Sequence, residues 1–118
     1  MIDHIDETSL LEAFMADTLN LDLFFRAKNI PFTLDNFIKY GFEGAGLHGG
    51  LFHVLSHYKD DYGQLCFLLE HNYGIKWSRI LSKGLSHQIK SMLNYTTTSE
   101  ILPSSVIIKI LEKNVYNS

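Results

Sequence analysis

The chain is short of most features that announce a specialised class. Among its 118 residues there is one cysteine, Cys66, so no intramolecular disulfide framework forms and no thiol-rich zinc site is available. No apolar run approaches the roughly 20 residues that a membrane helix needs. The opening MIDHIDETS is acidic and has neither the basic start nor the apolar stretch of a signal peptide. Strong net charge is missing too. Ten Lys and Arg against thirteen Asp and Glu give −3, too little to mark a nucleic-acid or membrane-surface protein by its total. These absences lead to the expectation of a cytoplasmic protein with no membrane partner. With 46% hydrophobic and 13% aromatic residues, a single domain over 1–118 is expected to bury one core.

What is present is unevenly placed. Asp3, Asp6, Glu7, Glu12, Asp17 and Asp22 all precede the first base, Arg26, whereas Lys76, Arg79, Lys83 and Lys90 lie between Glu70 and Glu100 with no acid among them. The folded molecule is therefore expected to carry an acidic end and a basic end. Five of the eight glycines fall in GFEGAGLHGG, residues 41–50, and Gly44, Gly46 and Gly49 spell G-x-G-x-x-G. A dinucleotide fingerprint needs a strand before it and a helix after it, inside a parallel sheet. Here a helix is predicted before it and no sheet can be assembled, so the run reads as a connection between helices.

Three segments close alike, LFFRAKN at Asn29, FLLEHN at Asn72 and KILEKN at Asn114, at spacings of 43 and 42 residues. Asn readily takes the left-handed conformation that stops a helix. NIPFTLDNFIKYGF (29–42) also lies over NYGIKWSRILSKGL (72–85) without a gap, matching Gly41 to Gly84. A period in this range predicts stacked helical units, here about 8–50, 51–91 and 92–118. Leu85, Ile89, Met92 and Leu93 follow helical steps, and Leu47, Leu51, Val54 and Leu55 repeat them, leaving about five residues near FEGAG as an insertion. Helices are expected over LLEAFMADTL, capped by Thr8 or Ser9, and over LDLFFRA, NFIKYG, HGGLFHVLSHY, YGQLCFLLEHN, WSRILSKG, LSHQIKSMLNY and SSVIIKILEKN. Val and Ile in SVIIKIL also suit a strand, but its alignment with two predicted helix ends favours a helix. The expected fold is all-α, a single domain of stacked antiparallel helix pairs.

FHVLSHYKDDYGQLCFLLEHNYGIKW resembles an ankyrin-type helix pair, with Leu47-His48 standing where that family has its Leu-His. Ala45-Gly46 replaces the family's Thr-Pro, and the period is longer than its 33 or so residues. The resemblance implies a helical stack that binds another macromolecule, and it carries over no catalytic residue.

Several residue types invite chemistry. His53 and His57 are four apart, the helical spacing that turns two imidazoles toward one metal, with His48, Cys66 and His71 as further donors. Residue 54 is Val where a zinc hydrolase would place Glu, and the neighbouring Val54 and Leu55 make the pair a packing edge, so no metal and no cofactor are expected. Cys66 in LCFLLE reads as core. The four cations of 76–90 and Trp77 lack the aromatic interleaving of a single-strand binder, so nucleic acid is not the expected partner.

Asp60 and Asp61 fall in a turn, flanked by Tyr58 and Tyr62, a composition of binding hot spots. The expectation is a non-enzymatic protein-binding module, an inhibitor of the immunity, antitoxin or viral-blocker kind. Asp3, Asp6, Glu7, Glu12, Asp17 and Asp22 would steer a basic partner such as a toxin or effector, and Tyr58, Asp60, Asp61, Tyr62 and Trp77 would make contacts. The alternative is a small metal-dependent or nucleotide-binding enzyme centred on His48, His53, His57 and the Gly44–Gly50 loop. Self-association into a homodimer is a third reading, because an unfinished stack leaves apolar ends.

Overall fold

The computed structural model describes residues 6–113. Helix α1 (Glu7–Ala27) is capped by Asp6, whose carboxylate accepts from the Ser9 N–H at 3.3 Å. It is one continuous helix where two were expected. Phe14, Leu21 and Phe25 recur at seven and four residues and form its buried stripe. Asn29 then takes a φ of 56°, the expected left-handed stop. Thr33 caps the short α2 (Leu34–Phe37), its hydroxyl accepting from the Asn36 N–H at 3.2 Å. This helix runs straight into a π-helical segment, Ile38–His48, which contains most of the glycine run. The glycines thus form a wide helix rather than a loop. At Gly46 a β-carbon would stand 2.3 Å from the buried Phe52 ring, so only glycine allows that approach.

The expected all-α stack is overturned from here on. HVLSHY and LCFLLE, read above as helices, are strands β1 (Val54–Lys59) and β2 (Leu65–Glu70). They form a hairpin. TTTSEIL and SVIIKIL supply β3 (Tyr95–Leu102) and β4 (Ser105–Lys113), a second hairpin joined through Pro103 and Ser104. The four strands make one antiparallel sheet in the order β1-β2-β4-β3. The ankyrin-like helix pair therefore does not exist. WSRILSKG and LSHQIKSML, read as two helices, are instead a single α3 (Ile75–Leu93), ended by Asn94 at φ 62°. Asn114 lies outside the described residues.

Register assigns every sheet residue a face. Phe67 and Leu69 pair with Ile108 and Val106, and all four are fully buried beneath the helices. Ile80, Leu81 and Ile89 of α3 fill the same core, and Phe42 of the π segment stacks on Phe67 at 4.4 Å between centroids. α1 lies on α3, and α3 lies on the β3–β4 half of the sheet. Gly41 and Gly84, matched in the sequence alignment, both turn toward α1. A β-carbon would meet Leu21 at 3.4 Å from Gly41 and the Phe14 ring at 2.3 Å from Gly84.

The opposite sheet face reads in three rows from β1 to β3: Tyr58, Cys66, Lys109 and Thr98; Ser56, Leu68, Ile107 and Glu100; Val54, Glu70, Ser105 and Leu102. No described helix covers it. Among the described residues no helix is long and apolar enough to cross a membrane.

Candidate functional site

The β1–β2 turn gathers four of the expected contact residues. Asp60 organises the turn: its Oδ1 accepts from the N–H groups of Tyr62 and Gln64, each at 2.9 Å. Its Oδ2 is enclosed and meets the Lys109 ammonium at 2.7 Å across the open sheet face. The hydrogen bond from Lys109, followed by the Gln64 N–H, holds the Asp60 carboxyl below its usual range, against the opposing effect of burial. Lys109 is in turn held above the usual range, chiefly by Asp60. Asp60 is therefore a fastener between hairpin and sheet, and Asp61 beside it stays exposed. Tyr58 and Tyr62 are 45% and 87% exposed, so two rings stand out from a turn whose backbone is pinned.

Beside that turn runs an open strand edge. The Asp60 N–H donates to the Gln64 carbonyl at 2.9 Å, and antiparallel ladders alternate, so Leu55, His57 and Lys59 direct their backbone groups away from β2. β1 has six residues without proline or bulge, and all but Leu55 are exposed. The other edge, β3, carries a register shift between Tyr95 and Thr97 and is rich in Thr and Ser. Bulges are among the features that discourage strand addition, and β1 lacks them.

The remaining expected contacts disperse. Trp77 lies in the core, 8% exposed, edge-on to Phe14 at 6.4 Å and donating its indole N–H to the Leu51 carbonyl at 2.8 Å. The acidic and basic stretches meet. Glu7 takes Arg79 at 2.8 Å and Lys83 at 3.7 Å, joining the start of α1 to α3. Arg79's hydrogen bond leads in holding the Glu7 carboxyl low, burial opposes it, and the charges of Arg79, Lys83 and Lys76 add to the lowering. Asp6 caps α1, Asp22 pairs with Arg26 at 2.8 Å, and Glu12 is exposed on α1. Asp3 lies outside the described residues, as does the side chain of Asp17. Of the described acids, Glu7, Asp6 and Asp22 thus each have a partner within the fold.

The histidines read as a metal pair also separate. On a strand, four residues span about 13 Å, so His53 and His57 do not converge as they would on a helix. His48 ends the π segment. Among the described residues no three His, Cys, Asp or Glu side chains gather for a metal ion. The G-x-G-x-x-G run follows a helix, not a strand, so the phosphate-binding context is missing.

Sequence reasoning missed a buried pair, His71 and Ser78. His71 is 1% exposed, with Nε2 2.8 Å from Ser78 Oγ. This is the distance of a nucleophile and its base, but the protons run the wrong way. The Tyr73 N–H donates to Nδ1 at 3.1 Å, so the neutral ring carries its hydrogen on Nε2 and donates to Ser78. Ser78 donates onward to the Leu102 carbonyl. The hydroxyl is pinned and not activated, and the pair ties the start of α3 to the β3–β4 hairpin. Burial first, then the positive field of His53, push the His71 pKa below its ordinary 6.5. The polar His in LLEHN was the signal in the sequence, masked by reading that segment as a helix end.

Comparison with protein-family models, curated proteins and solved structures finds no match.

Proposed function

We propose that this protein is a non-enzymatic binding module that takes an extended segment of a partner protein along β1, with the partner's side chains resting on the adjoining open face. The observation that carries this reading is the regular β1 edge, unpaired among the described residues, with Tyr58 and Tyr62 exposed at its end. An added strand gains backbone hydrogen bonds from Leu55, His57 and Lys59. Tyr58 and Val54 lie on the open face, where they can receive alternate apolar side chains. Aromatic rings held on a pinned turn lose little freedom on binding.

The test is His57→Pro, which removes an outward N–H while the bonds to β2 stay. Wild type and variant, matched by circular dichroism, are used to capture proteins from the source lysate. A stoichiometric protein held by the wild type and lost by the variant supports strand addition. Equal capture by both, or none by either, refutes it.

A further inference from the structure

A second site lies away from β1, in the angle between α1, the π segment and α3. A cleft of about 330 Å³ opens there, walled by Phe14, Leu21 and Phe24 of α1, Leu85 of α3 and Leu51. Gly41, Ala45 and Gly49 line its π-helical side. Their small size keeps that wall flat. At Gly49 a β-carbon would fall 2.0 Å from the Ala45 carbonyl oxygen, so the wide π turn admits no side chain there. π-helical geometry is often found at functional sites.

One buried polar residue breaks the apolar lining. Gln88 is 6% exposed and lines the cleft, and among the described residues its side-chain carboxamide makes no hydrogen bond. The amide atoms of Gln88 are not sealed from solvent, so a ligand in the cleft can reach them and replace the water they would otherwise bind. Asn20 is the other polar residue at the cleft, and it is exposed. Among the described residues no charged side chain lines the site. Against the described lining, an ionised ligand would lose its water and gain no counter-charge.

We propose that this cleft binds a small uncharged ring compound bearing a carboxamide or lactam, its ring among Phe14, Phe24 and the leucines and its amide paired with Gln88. A carboxamide is a donor beside an acceptor, and its best complement is another amide facing it. The volume sits at the lower end of small-molecule pockets, which limits the ligand to one or two rings.

The test is titration of the full chain with benzamide and, separately, with toluene, followed by amide NMR. Wild type should bind both, with benzamide shifting the Gln88 side-chain NH₂ signals. Gln88→Leu should weaken benzamide by about three- to tenfold, as loss of a hydrogen bond predicts, and leave toluene unchanged. Ala45→Phe, which places a ring in the cleft from its exposed rim, should abolish both ligands. Absence of binding by wild type, equal benzamide affinity in Gln88→Leu, or binding that survives Ala45→Phe would each overturn the assignment.

Discussion

His71 shows how a residue pair with catalytic spacing is read by its protons. Its Nδ1 is occupied by a backbone N–H, so Nε2 donates to Ser78 and the serine's own hydrogen goes to a backbone carbonyl. Ser78→Ala should therefore leave a buried N–H without its acceptor and cost about 1–3 kcal/mol in urea unfolding. The same burial makes the fold pH-sensitive. His71 is kept neutral in the folded state, so the unfolded chain takes up a proton near the ordinary 6.5 while the folded chain resists it. Stability is fully present above 6.5 and falls as pH drops below it toward the lowered folded value. Glu7 and Asp60 act in a separate, more acidic window. Their lowered carboxyls add stability above the ordinary 4.5 and 3.8, and it is lost as pH falls below those values. His71→Gln should flatten the stability profile between pH 7 and 5 only. An unchanged slope in that variant would show that the His71 proton is not the cause.

Elements reveal why α1 and α3 were legible in part, each read as two helices, and the sheet was not. α1 and α3 carry their apolar residues at helical steps, and Asn29 is the expected stop, whereas Asn94, which ends α3, falls inside a helix expected from the sequence. β2 is a central strand with Cys66 and Leu68 facing outward and Phe67 and Leu69 inward, so no alternation marks it. Leu51, Val54 and Leu55 satisfy helical steps by chance while serving a loop and a strand. The matched glycines do share a role, since both let a helix approach α1 closely. Gly84→Ala tests it. Alanine normally favours a helix over glycine by about 1 kcal/mol, but here its methyl would meet the buried Phe14 ring. Overpacking costs about 1–3 kcal/mol, so once the helix gain is subtracted the variant should be no more stable than wild type and up to about 2 kcal/mol less stable. A stabilised variant in urea would mean that α1 and α3 separate easily. At the candidate site, only the turn was readable, because Tyr58, Asp60, Asp61 and Tyr62 are close in sequence. Lys109, which pins it, arrives from another hairpin. Gln88 had a signal, a polar residue on the Leu81, Leu85, Met92 stripe, but its meaning depends on α1 and the π segment beside it.

At the scale of the whole molecule, the acidic and basic chain regions meet where Glu7 pairs with Arg79 and Lys83. That contact, the Phe14–Gly84 approach and the Phe14–Trp77 ring pair all join α1 to the sheet-covering α3. Trp77 is the only tryptophan, and its indole also holds the Leu51 carbonyl at the end of the π segment. Its fluorescence therefore reports α1, the π segment and α3 together, whereas far-ultraviolet circular dichroism reports helices and sheet alike. If one core unites them, both signals should change at the same urea concentration, as in a two-state transition. A tryptophan transition at lower urea, with most of the dichroism retained, would instead show that α1 leaves first. The cleft between α1 and α3 would then open before the sheet unfolds. Benzamide should suppress such an early step by binding only the closed arrangement, so repeating both curves with ligand separates a weak α1 contact from a weak core.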